Sequence, residues 1–184
     1  MAAKQKELTD LFHDTLKDIF HAEKQLLRAL PKMARAANSD EVRQAFETHR
    51  DETQGQIERL EQVFEIFGKR AQGKPCEAMQ GLVAEGQEIM EEFRESDALD
   101  AGLISSAQAV EHYEISRYGT LRTWAQQLGM NDAAELLEQT LEEEKRTDAL
   151  LTELAETQAN QEAEGGSEGS EDEGEEPRSR RGSR

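Results

Sequence analysis

The stretch Gln108-Ala-Val-Glu111-His112-Tyr113-Glu114 decides how the chain is read. Leu103, Ala107 and Val110 precede its acids at helical spacing, and Tyr118, Leu121, Ala125 and Leu128 continue the same seam. Steps of three and four place Glu111 and Glu114 in the middle of an apolar helix face. Two carboxylates one turn apart on a buried face repel each other and lose hydration. A cation is the usual remedy, and acids at i and i+3 can share one metal ion or a pair.

Three further seams run outward from that stretch. Leu8 to Ala37 reads as a helix whose inward line, from Phe12 through Leu16, Ile19, Leu26 and Leu30 to Met33, carries a single acid, Glu23. Pro31 falls inside it and is expected to bend the helix or loosen its hydrogen bonds near Leu27. Ser39 reads as the cap of a second helix that runs to about Phe67 and stops at Gly68. The centre of that helix is polar: His49, then Glu52 or Thr53, then Gln56. Residues 69–75 form a basic loop, and Glu77 to Phe93 reads as a crossover helix weakened by two glycines. Ser96-Asp97 opens the helix that holds the quoted stretch and ends at Gly129. Asn131-Asp132 restarts a last long helix to about Glu156, with Glu144 and Asp148 on its seam.

The two helix pairs echo each other. Glu23 and Glu52 are 29 residues apart, and Glu114 and Glu144 are 30 apart. Each pair is a hairpin whose central acids lie at similar distances from the turn, so they meet at one height. With 40 acids in 184 residues, one acid on a seam means little, but four in matched slots point to a site. The fold expected is all-α: an antiparallel four-helix bundle of two hairpins, with a crossover helix and a tail. The domain is expected over residues 1–157. Gly, Ser and Glu without periodicity, closing on Arg178, Arg180, Arg181 and Arg184, give a disordered tail over 158–184.

Composition narrows the function. A net charge of −18 argues against nucleic acid and anionic membrane surfaces as partners. No stretch has the length or apolarity to span a bilayer. Cys76 is the lone cysteine, which excludes an internal disulfide and a four-cysteine metal knuckle and suits a reducing cytoplasm.

The phrases His21-Ala-Glu-Lys-Gln-Leu-Leu, Leu30-Pro-Lys-Met, Cys76-Glu-Ala-Met and Gln108-Ala-Val-Glu-His-Tyr-Glu resemble the YciE/YciF family of ferritin-like bacterial stress proteins, over about Glu7 to Glu156. The resemblance implies two iron ions, with manganese as the alternative, and Fe(II) and O₂ or H₂O₂ as partners. It also implies a homodimer and a ferroxidase or peroxide-detoxifying role in stress. Carried over by position, Glu23 and Glu144 become terminal ligands, Glu52 and Glu114 bridges, and Glu111 a terminal or mobile ligand. Where relatives have histidines, this chain has Gly55 and Thr147. His49, one turn before Glu52, is the candidate replacement, and Asp148 is either a further ligand or the partner of a base such as Arg28. His112 faces away from the seam, and His13 and His21 read as surface groups. Tyr118, one turn from Glu114, reads as core and as an oxidisable neighbour of the site. Cys76 reads as a small residue at a loop or helix start. The competing reading is a non-catalytic stress protein that acts through association and keeps its acids as a relic or a structural ion site.

Overall fold

The computed structural model describes residues 5–165. Five long helices account for most of them: α1 (Leu8–Ala36), α2 (Asp40–Ile66), α3 (Glu77–Glu92), α4 (Leu99–Gln127) and α5 (Asn131–Leu154). A π-helical turn, Ala155–Ala159, and a short α6, Asn160–Gly165, prolong α5. The helix therefore passes through the expected start of the tail at 158 without a break, because Ala155, Ala159 and Ala163 keep a helix-compatible spacing there. Residues 166–184, the rest of the expected tail, lie outside the described residues.

α1 packs on α2, α2 on α5, α5 on α4 and α4 back on α1, which closes an antiparallel four-helix ring. α3 lies outside that ring, against α1 and α4. α1 is helical through Pro31. One apolar core fills the ring, from Phe12 and Leu16 through Phe46, Leu60, Leu103 and Leu121 to Leu137 and Leu151.

The turns follow from the residues that make them. Ser39 Oγ accepts from the backbone N–H groups of Glu41 and Val42 and so caps α2. Gly68 and Gly129 adopt φ of 72° and 77°, the left-handed conformation that closes α2 and α4. The α4 helix starts at Leu99, later than Ser96-Asp97, because Ser96 Oγ caps an intervening turn by accepting from Ala98 N–H. One buried acid belongs to the architecture alone. The Asp100 carboxylate accepts from the Asn38 and Ser39 N–H groups at 2.8 and 2.7 Å, tying the start of α4 to the α1–α2 turn.

Candidate metal centre

Each ring helix contributes to one polar knot inside the apolar core. Glu23 comes from α1, His49 from α2, Glu111 and Glu114 from α4, and Glu144 from α5, all buried. Helical spacing dictates this: on α4 the two acids share the face of Val110 and Tyr118, and on α5 Glu144 follows Leu137 and Leu141 inward. Ligand atoms of His49, Glu111, Glu114 and Glu144 all lie within 4.8 Å of one another. His49 Nε2 stands 3.1 Å from Glu111 Oε1. That contact lacks hydrogen-bond alignment, and neither ring nitrogen has a hydrogen-bond partner among the described residues.

The carboxylates are equally short of donors. Among the described residues, both oxygens of Glu114 and of Glu144, Oε2 of Glu111 and Oε2 of Glu23 have no side-chain or backbone hydrogen-bond donor. Burial drives the Glu23, Glu111 and Glu114 carboxyls well above their ordinary value, and the neighbouring acids add to it. Burial also raises Glu144, against the pull of His49. A buried anion without a donor is costly, so without a cation these groups hold protons. Three carboxylates and one imidazole, with unshared lone pairs converging on a small volume, fit a divalent cation, and Glu23 is a further buried carboxylate beside them.

The surroundings hold these side chains in place. The Tyr118 hydroxyl, buried, donates to Glu23 Oε1. Arg59 of α2 grips both oxygens of Glu143 on α5, at 2.5 and 2.7 Å, and Gln56 Nε2 adds a bond to the same carboxylate. Thr53 Oγ1 donates to the His49 carbonyl and takes the inward slot beside it.

Glu52 and Asp148 stand apart from the knot. With Thr53 on the α2 seam, Glu52 falls on its shoulder, about a third exposed, where it accepts from Thr147 Oγ1 at 3.4 Å. The His49 ring 3.9 Å away holds its carboxyl below the ordinary value. The expected central level of Glu23, Glu52, Glu114 and Glu144 is therefore filled by His49 in the α2 place. Asp148 turns to the surface, 3.3 Å from His112 Nε2 and accepting from Gln108 Nε2, so its partner is not Arg28. His112 is exposed, as its helical position predicts. His21 is not a free surface group: its Nδ1 accepts from the Cys76 N–H and meets Gln25 Nε2.

Cys76 caps α3, with Sγ accepting from Met79 N–H and standing 3.0 Å from the Tyr113 hydroxyl, which donates to Asp18. These contacts, like Asp100, join residues far apart in sequence and leave no periodic signal.

An antiparallel four-helix bundle with a buried cluster of glutamates and a histidine that could hold a metal ion has the ferritin-like fold. The chain belongs to the family described as Domain of unknown function (DUF892), which matches residues 7–164. It is 49% identical over 160 residues to Protein YciF of Escherichia coli K12, covering 86% of this chain and 96% of that protein. The crystal structure of the E. coli stress protein YciF superposes with a TM-score of 0.81, covering 85% of this chain and 99% of that one. YcfI from Rhodopseudomonas palustris, named as a candidate structural protein, is 42% identical, with a TM-score of 0.79 over 83% of this chain and 97% of that one. A Xanthomonas campestris protein at 21% identity shares the fold, with a TM-score of 0.67 over 86% of this chain and 97% of that one.

Proposed function

We propose that the chain binds Fe(II) in the buried knot and passes its electrons to O₂ or H₂O₂, as part of a stress response. The observation that supports this most is the set of buried carboxylate oxygens and histidine nitrogens without partners. Such groups are a net cost to the fold unless something cationic shares them. His49, Glu111, Glu114 and Glu144 would hold the first ion. Glu23 Oε2, also without a partner, and the partly exposed Glu52 are the donors left for a second.

The iron is the substrate and supplies one electron per ion. Two Fe(II) and one H₂O₂, with two protons, give two Fe(III) and two waters; with O₂ as acceptor the product is H₂O₂. The residues of the chain set the conditions. The apolar core keeps bulk water from the knot, which strengthens every charge interaction inside it. Tyr118 fixes one oxygen of Glu23 and leaves the other free to bind. The carboxyl protons leave as the cation arrives, so binding tightens with rising pH.

Anaerobic titration of metal-free protein with Fe(II), followed by O₂ or H₂O₂, tests the reading. The expected result is close to two Fe(II) bound per chain, then oxidant consumption in proportion. Failure to bind Fe(II), or binding without oxidant consumption, sinks it. Manganese in the same knot would instead support peroxide disproportionation, and metal content after chelator-free purification separates the two.

A second reading has one observation in its favour: four donors close into a group, and Glu52 is not among them. On that reading a single structural ion steadies a non-catalytic stress protein that acts by association. Glu52→Gln with Glu114→Gln distinguishes the readings. Iron oxidation abolished in a folded double variant supports the first, and unchanged protection in cells supports the second.

A further inference from the structure

Between α1, α3 and α4 lies a cavity of about 20 Å³, lined by none of the knot's residues. We propose that it binds dioxygen and admits it to the metal centre; the role in admission rests on the iron-oxidising function proposed above.

The cavity's size, chemistry and position all bear on this. It has room for one small molecule and little more. Leu26 and Met33 of α1, Val83, Gly86 and Met90 of α3, and Val110 of α4 supply its apolar wall. A water needs two to four polar partners, and inside the exposed rim the wall offers one, the Ser106 hydroxyl. Ser106 is the polar residue nearest the interior, and its hydroxyl already donates to the Gly102 carbonyl at 3.1 Å. Lys32 and Gln87 are exposed and mark the outer rim. A dry, apolar space of this size suits a diatomic gas and disfavours H₂O₂, which would forfeit its hydrogen bonds there.

The cavity also leads the right way. Its exposed residues stand at the surface, whereas Leu26 and Val110 are 2% and 5% exposed and form its floor. Leu26 follows Glu23 by three residues and Val110 precedes Glu114 by four, so both floor residues sit one helical turn from acids of the knot. The outer wall is lightly built: of the sixteen residues of α3, Met79 and Gly86 are the buried ones. Gly86 leaves open the space that a side chain would occupy. H₂O₂ and cations have a separate polar approach at Glu52, a third exposed and bonded to Thr147.

Gly86→Val fills the space from within. A Cβ at Gly86 meets Ser106 Cβ at 3.7 Å, an ordinary contact, so the helix can accept it; Gly86→Ala is the milder version. Gly81→Val is the matched control, since Gly81 is on the same helix with nothing within 4 Å of its Cβ. The first readout needs no metal: xenon binding to chelator-treated protein, by xenon NMR or crystals under xenon pressure. One xenon between α1, α3 and α4 is expected in the native chain and in Gly81→Val, and none in Gly86→Val. The second readout compares oxidants on Fe(II)-loaded protein. Gly86→Val is expected to slow oxidation by O₂ about tenfold, a barrier rise of about 1.4 kcal/mol, and to leave oxidation by H₂O₂ unchanged. Absence of xenon from the native cavity overturns the proposal, and so does equal slowing of both oxidants. If the native chain takes up xenon but oxidises iron with neither oxidant, the iron-oxidising reading falls, and the admission role with it.

Discussion

Glu144 is fully buried, and it shares its surroundings with three other acids and one histidine. Glutamine at this position keeps the shape and removes the charge. In chelator-treated protein at pH 8, Glu144→Gln is expected to raise stability by about 1–2 kcal/mol, since a buried carboxyl must either take up a proton or stay charged away from water, and the amide does neither. The same variant should bind Fe(II) or Mn(II) far more weakly. Urea unfolding with and without the ion measures both effects, and a variant that is less stable than the native chain when metal-free would show the carboxylate to be structural. Inward placement was legible for Glu23, Glu111, Glu114 and Glu144 because each sits at helical spacing among apolar residues. It was ambiguous at Glu52 and Thr53, which compete for one slot on α2. The threonine takes that slot because its hydroxyl is satisfied by the His49 carbonyl, whereas Glu52 finds solvent and Thr147 on the shoulder.

Among elements, the joints carry information that periodicity does not. Asp100 looks like an ordinary first-turn acid of α4, yet it is 1% exposed and receives two backbone N–H groups from the α1–α2 turn. Asp100→Ala would orphan both donors and is expected to cost about 2–3 kcal/mol, read as a lower urea midpoint with secondary structure retained. α3 meets α4 at Gly102, where a Cβ would come within 2.7 Å of Ile89 Cγ2. That methyl sits on a β-branched carbon and cannot swing away, so the helix itself must shift. Gly102→Ala should therefore destabilise the chain by about 1 kcal/mol despite alanine's better helix propensity. Ile89→Ala removes the obstructing methyl, so in the double variant the cost of Gly102→Ala should vanish, a coupling that a double-mutant cycle measures. The existence of α3 was legible from its spacing, but its seat on α1 and α4 was not. That seat depends on glycine contacts and on Cys76, His21, Tyr113 and Asp18 meeting across long sequence separations.

For the molecule as a whole, the buried acids dictate how stability varies with pH. In the metal-free fold the carboxyls of Glu23, Glu111, Glu114 and Glu144 titrate above the ordinary glutamate value of 4.5 that they regain on unfolding. The folded chain then holds more protons than the unfolded one, so stability from these groups is complete below that value and is lost as pH rises through the raised ones. Carboxyls held low, such as Asp14 beside Lys74 and Lys17 and Glu52 beside His49, act the other way and lose their contribution in acid. The net charge of −18 adds general repulsion in the same alkaline direction. Chelator-treated protein should therefore melt at a higher temperature near pH 5 than near pH 8. A bound cation replaces the protons and competes poorly with them in acid, so the ordering should reverse with saturating Mn(II), with the gain from metal greatest at pH 8. Calorimetry at the two pH values, with and without the ion, gives four melting temperatures. If the metal-free protein melts no lower at pH 8, or Mn(II) raises both melting temperatures equally, the knot is not holding exchangeable protons where a cation would sit.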